Sequence, residues 1–191
     1  EAETVLLTAR KKLNELFNGD DPNRLVFGYN ATDALNVAIK GMVKPGGHVV
    51  STAMEHNSVL RPLYMLQQAG VITFDLVPAG PSGRIDPADL EALIRPETRL
   101  VVMTHASNVF GTVQPAAEVG RICREHGVYF LLDAAQSAGT IDIDMAGWGI
   151  HLLAFTGHKS LMGPTGTGGM VIGPDVPIRA TRWGGTGVKS A

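Results

Sequence analysis

A single cysteine, Cys123, stands among 191 residues, so no disulfide can form within the chain. Aromatic residues make up only 6% of it, and the 18 acidic and 16 basic side chains nearly cancel to a formal net charge of -2. Without an excess of positive charge there is no electrostatic footprint for nucleic acid. No apolar run approaches the ~18–20 residues that a membrane-spanning helix requires. The opening stretch EAETVLLTARKK lacks the charged, apolar and small-residue order of a secretory leader. Together with the lone cysteine, this predicts a cytoplasmic protein with no nucleic-acid or membrane partner. The six histidines have no paired or clustered spacing of the kind that holds zinc, so no metal site is expected. Nucleotide-binding loops are missing as well. His158 separates Gly157 from Lys159, Leu152 stands where a P-loop needs its first glycine, and no G-x-G-x-x-G opens a helix after a strand.

What the chain does hold is a 45% hydrophobic composition, enough to bury one sizeable core, with no linker dividing it. Residues 1–191 are therefore read as a single domain. Leu6, Ala9, Leu13, Leu16 and Phe17 recur at helical spacing before the Asn18–Pro22 turn and predict an amphipathic first helix. Short apolar strands follow at Leu25–Phe27, His48–Ser51, Thr73–Val77, Leu100–Thr104, Val128–Leu132, Leu152–Phe155 and Gly169–Ile172. Between them, Thr32–Val43, Ser58–Gln68, Pro87–Ile94 and Pro115–His126 carry helical patterns. Continuous apolar strands alternating with helices predict an α/β fold, a three-layer αβα arrangement around a mainly parallel sheet of about seven strands. Ligands of such sheets bind beyond the carboxyl ends of the strands, so the chemistry is sought there.

The polar residues at those ends are distinctive. Lys159 lies between the apolar run Leu152–Phe155 and the small-residue loop Gly163–Gly169. A lysine amine forms a Schiff base with an aldehyde, although most lysines are simply solvated. Asp133 ends the strand Tyr129–Leu132, where a carboxylate can pair with a protonated ring nitrogen or cap the segment that follows. If that segment turns helically, Gln136 shares its face. His56 follows the strand His48–Ser51; it can stack on a ring and exchange protons, or serve as a hydrogen-bonded loop histidine. Tyr29–Asp33 precedes a helix whose free N–H groups, with the Thr32 hydroxyl, form an anion site or an ordinary capped start. Asp33 would repel an anion there unless it points away. Thr156 and His158 are placed to complete a phosphate shell from the neighbouring loop.

An acid, an amide, a hydroxyl, an imidazole and an amine at one sheet edge suit a cofactor with a ring nitrogen, a phenolic oxygen, a phosphate and an aldehyde. Pyridoxal 5'-phosphate is such a cofactor. Five ordered segments carry a resemblance: Asn30–Asn36 (NATDALN), Glu55–His56–Asn57, Ser107–Thr112 (SNVFGT), Asp133–Gln136 (DAAQ) and Thr156–Lys159 (TGHK) with the glycine loop behind it. In these the chain resembles the large domain of the fold-type I pyridoxal-phosphate enzymes, specifically the class V aminotransferase and cysteine desulfurase family. The resemblance implies that Lys159 carries the cofactor as a Schiff base, that Asp133 meets the pyridinium nitrogen and Gln136 the phenolic oxygen. It implies that His56 stacks on the ring, that Ala31, Thr32, Thr156 and His158 bind the phosphate, and that Asn108 meets the substrate carboxylate.

The resemblance further implies sulfur abstraction from L-cysteine giving L-alanine, with transamination or another β-elimination as alternatives. A fragment that binds cofactor or partner without turnover is an alternative of another class. Family members are about twice this length, with a smaller C-terminal domain that supplies a substrate-binding arginine and, in desulfurases, a nucleophilic cysteine on a mobile loop. Cys123, on the helical pattern before the strand Val128–Leu132, reads as inert core rather than a substitute. Thr186 is a candidate for the loop that reaches the partner subunit's phosphate. A homodimer and a sulfur-acceptor protein are the expected partners.

Overall fold

The computed structural model describes residues 2–184; Thr186 lies outside them. Seven strands form one sheet: β1 (Leu25–Gly28), β2 (Gly47–Thr52), β3 (Ile72–Val77), β4 (Thr98–Thr104), β5 (Tyr129–Asp133), β6 (Leu152–Thr156) and β7 (Gly168–Ile172). Their spatial order is β1-β7-β6-β5-β4-β2-β3. β3, β2, β4, β5 and β6 run parallel, and β7 runs antiparallel to both β6 and β1. Chain order reverses between β2 and β4, which makes the crevice beside that point the expected ligand site of an open α/β sheet.

Helices α1 (Ala2–Leu16), α2 (Ala31–Met42), α3 (Asn57–Gln68), α4 (Pro87–Ala92), α5 (Ala116–His126) and the short α6 (Met145–Trp148) join the strands. Because strand side chains alternate across the sheet, Val50, Val101, Met103, Phe130, Leu132, Leu153 and Phe155 pack on one face with Leu90, Val119, Ile122 and Met145 of α4, α5 and α6. Val49, Leu100, Val102, Leu131, Leu152 and Ala154 pack on the other with Leu35, Ala38, Ile39, Val59 and Leu63 of α2 and α3. Three layers result. The central strands are buried on both faces, which is why they read as unbroken apolar runs rather than as alternating ones.

The first helix departs from the expected stripe. Leu6 and Leu16 are exposed, Leu13 is only partly buried, and Phe17, one residue beyond the helix, is the side chain that enters the core, tilted against Phe155 at 5.5 Å between ring centroids. Asn14 is buried beside it and its amide donates to the Gly19 carbonyl, closing the turn that sends the chain back to the sheet.

Two features bring the loops to the cavity end of the sheet. Asn30 caps α2, its Oδ1 accepting the Asp33 N–H at 2.9 Å. A Cβ on Gly168 would lie 2.6 Å from the Asn30 Cα, so only glycine allows β7 to pass this close to the start of α2.

Candidate active site

A cavity of about 250 Å³ opens beyond the carboxyl ends of β2, β4, β5 and β6, against the N-terminus of α2. That is slightly below the ~300–1,000 Å³ usual for small-molecule pockets and suits a one-ring ligand. Ala31 and Thr32 of α2, His56 after β2, and Asn108 after β4 all line it. Asp133 and Gln136 enter from β5 and the turn after it, and Thr156, His158 and Lys159 from β6 and its loop. These nine residues named from the sequence thus border one space, while Thr186 lies outside the described residues. Asn30, Ser58, Thr104, Ala106 and Ala135 line it too, and were not singled out as site residues. Asn30 caps α2 and Ser58 sits in the first turn of α3, and an Asn followed three residues later by an acid was the available signal for the former.

Asp133 takes the capping role that was one of the two readings its position allowed. No regular helix follows it; residues 134–138 make a hydrogen-bonded turn, with the Ala138 N–H donating to the Ala134 carbonyl at 2.9 Å. Oδ1 accepts the Ala135 N–H at 2.9 Å, and Oδ2 has no donor among the described residues. Burial pushes the carboxyl above its ordinary range, while the Ala135 N–H and the charges of Lys159 and His56 pull it back. One oxygen serves the backbone and the other has no donor among the described residues, in a residue that lines the cavity.

His56 is both cavity wall and helix cap. Its Nδ1 accepts the Ser58 N–H at 3.1 Å and lies 2.7 Å from the Ser58 hydroxyl, which pins the ring at the start of α3. On the far side, Thr156 Oγ1 and His158 Nδ1 are 3.1 Å apart and form one polar wall. Gly157 holds this loop closed: its N–H donates to the Thr167 carbonyl and its carbonyl accepts the Gly163 N–H. Asp33, whose charge would oppose an anion at α2, instead pairs with Arg182 and does not line the cavity.

Elsewhere, Thr98, His48 and Asp75 form a hydroxyl–imidazole–carboxylate chain, with 2.8 and 3.1 Å between neighbours. It lies at the starts of β2 and β4, the opposite end of the sheet from the cavity. Cys123 is buried on α5, and burial pushes its thiol up to about 12, so it has no thiolate for chemistry near neutral pH. No helix among the described residues is long and apolar enough to cross a membrane.

The family description Aminotransferase class-V matches residues 1–190. The chain belongs to the class V aminotransferase family. Enzymes of this family use pyridoxal 5'-phosphate. The chain is 37% identical over 97% of its length to the cysteine desulfurase IscS of Pectobacterium atrosepticum, and 36% identical to that of Pseudomonas savastanoi pv. phaseolicola. It covers 46% of each of those proteins, so this class V chain spans about half the length of the curated relatives it matches. Among solved structures it is similar to SspA in complex with cysteine, with a TM-score of 0.90 and 32% identity over 96% of this chain and 54% of that one. It is also similar to the apo cysteine desulfurase of Thermococcus onnurineus NA1, with a TM-score of 0.83 and 31% identity over 89% of this chain and 43% of that one. The class V assignment agrees with the αβα fold and its cavity at the β2/β4 reversal.

Proposed function

We propose that this chain is the cofactor-binding large domain, residues 1–191, of a pyridoxal-phosphate-dependent cysteine desulfurase that takes sulfur from L-cysteine and leaves L-alanine. The observation that carries the reading is the convergence of Lys159, Asp133, Gln136, His56 and the Thr156–His158 wall on one cavity of about 250 Å³. The donor set fits the cofactor. Asp133 has an oxygen without a donor among the described residues, α2 offers first-turn N–H groups at Ala31 and Thr32, and Lys159 lines the same cavity.

Asp133 would hold the pyridine nitrogen and keep it protonated, Gln136 would hold the phenolic oxygen, and His56 would cover one ring face. Ala31, Thr32, Thr156 and His158 would hold the phosphate, an arrangement supported by the turning of Asp33 toward Arg182. When bound, the cofactor supplies an aldehyde and an electron-accepting ring. Lys159 Nζ would be the point of attachment for the aldehyde and the base that moves the substrate Cα proton. Asn108, exposed at the mouth, is the donor for the substrate carboxylate.

Sulfur abstraction is preferred over transamination because the relatives named above are cysteine desulfurases and one structural neighbour holds cysteine. The exposed apolar side chains Tyr29, Val109, Phe110 and Met162 support assembly as a homodimer. A sulfur-acceptor protein is the expected downstream partner, and a cytoplasmic setting is the compartment proposed. The test is product analysis with L-cysteine, using the full-length protein loaded with pyridoxal phosphate. Equal amounts of alanine and released sulfur are expected; a keto acid in place of alanine would make it a transaminase or lyase. No turnover by a loaded, folded protein would leave only cofactor binding.

A further inference from the structure

Glu55 is the one strongly buried acid beside the cavity to which the chemistry above gives no task. It ends the Thr52–Glu55 turn after β2 and precedes His56. Its Oε1 accepts two bonds, from the Thr52 hydroxyl at 2.6 Å and from the Thr104 N–H on β4 at 2.9 Å. Its Oε2 is buried and has no partner among the described residues. This asymmetry describes a neutral acid: a carbonyl-like oxygen satisfied twice, and a hydroxyl oxygen carrying the proton. A carboxylate with one buried oxygen bare and no cationic side chain bonded to it among the described residues would bear the full cost of desolvation.

Thr104 stands in register with Asp133 on β5, so the Glu55 bond to Thr104 ties the His56 turn to the strand pair that delivers Asp133. The titratable groups nearest Glu55 are Asp133 from β5, His56 next in its own turn, and His105 one residue beyond Thr104; Lys159 lines the cavity with Asp133 and His56 and acts on Asp133. Lys159 and His56 both favour charge on Asp133, leaving Glu55 as the member of the pair that holds a proton. Burial, with a smaller push from Asp133 and against its two hydrogen bonds, lifts the Glu55 carboxyl to about 8.

We propose that Glu55 is a positioning residue that acts as a neutral carboxylic acid, clamping the turn that carries His56 to β4 while leaving Asp133 as the only carboxylate charge facing the cofactor ring. This rests on the cofactor reading of the cavity. Glu55→Gln keeps the shape and the accepting oxygen but cannot ionise, whereas Glu55→Ala removes the clamp.

The test compares the full chain with both variants in two measurements. Without cofactor, denaturant unfolding is followed between about pH 5 and 9, where the wild type is expected to lose stability relative to Glu55→Gln as pH rises. With pyridoxal phosphate, Glu55→Gln is expected to bind within about 3-fold of wild type, and Glu55→Ala about 10-fold or more weakly. Parallel unfolding curves for wild type and Glu55→Gln would overturn the proposal, as would a Glu55→Gln variant that loosens the cofactor as much as Glu55→Ala. If Glu55→Ala does not fold, the two curves and the Glu55→Gln constant carry the test. If the wild type takes no pyridoxal phosphate, the cofactor reading fails. The curves then still decide the proton on Glu55, divergence supporting it and parallel behaviour overturning it.

Discussion

Thr104 on β4 and Asp133 on β5 stand opposite one another in parallel register at the rim of the cavity. Asp133 uses one oxygen on the Ala135 N–H and keeps the other free among the described residues. A charge-assisted bond contributes roughly 1.5–3 kcal/mol, so Asp133→Ala is expected to weaken pyridoxal-phosphate binding by about 10- to 100-fold. Asp133→Asn, which retains the shape and the bond to Ala135, is expected to lose activity more than affinity. Fluorescence titration of the cofactor alongside turnover measurements separates the two.

Gly168 lets β7 pass against Asn30 where a side chain would collide with backbone at 2.6 Å. Gly168→Ala is expected to cost about 1–3 kcal/mol in stability, as overpacking does. It is also expected to loosen the cofactor, because the residue it strikes caps α2. Denaturant midpoints and cofactor titration on the same sample check both effects. A variant that lost stability yet bound normally would separate the cap from the phosphate wall.

Cys123, buried and with its thiol lifted to about 12, takes no part in sulfur transfer on this view. Cys123→Ala is expected to lower stability by about 1 kcal/mol and to leave sulfur release from cysteine within about 2-fold of wild type. Sulfide assays on the full-length variant measure this directly.

His105 donates its backbone N–H to the Asp133 carbonyl, while its ring is buried edge-on to Trp148 at 5.7 Å and lowered by burial to about 4. A depressed pKa in the folded state contributes stability that is present above the ordinary value of 6.5 and lost as pH falls toward about 4. The contribution is up to about 3 kcal/mol. Unfolding followed through this window is expected to show an acid limb that His105→Gln flattens.

Much of the fold was legible because the central strands are buried on both faces and their helices carry the matching stripe. Leu100–Thr104 and Leu152–Phe155 read as strands without any knowledge of their neighbours. The antiparallel placement of β7 was not legible, since Gly168–Ile172 looks the same in either direction. Nor was the fate of α1, where Phe17 rather than Leu6 or Leu16 enters the core. In the cavity, Lys159, Asp133 and His56 were legible because each closes or follows an apolar strand. The Asp33–Arg182 pair joins residues far apart in the chain, and the proton on Glu55 arises from bonds to two different strands. Local patterns record neither.

The most direct measurement is reduction of the pyridoxal-phosphate-treated protein with borohydride, followed by peptide mass analysis. A single phosphopyridoxyl group on Lys159 is expected, absent from Lys159→Ala. A label on another lysine, or none in a folded full-length protein, would contradict the assignment of this cavity.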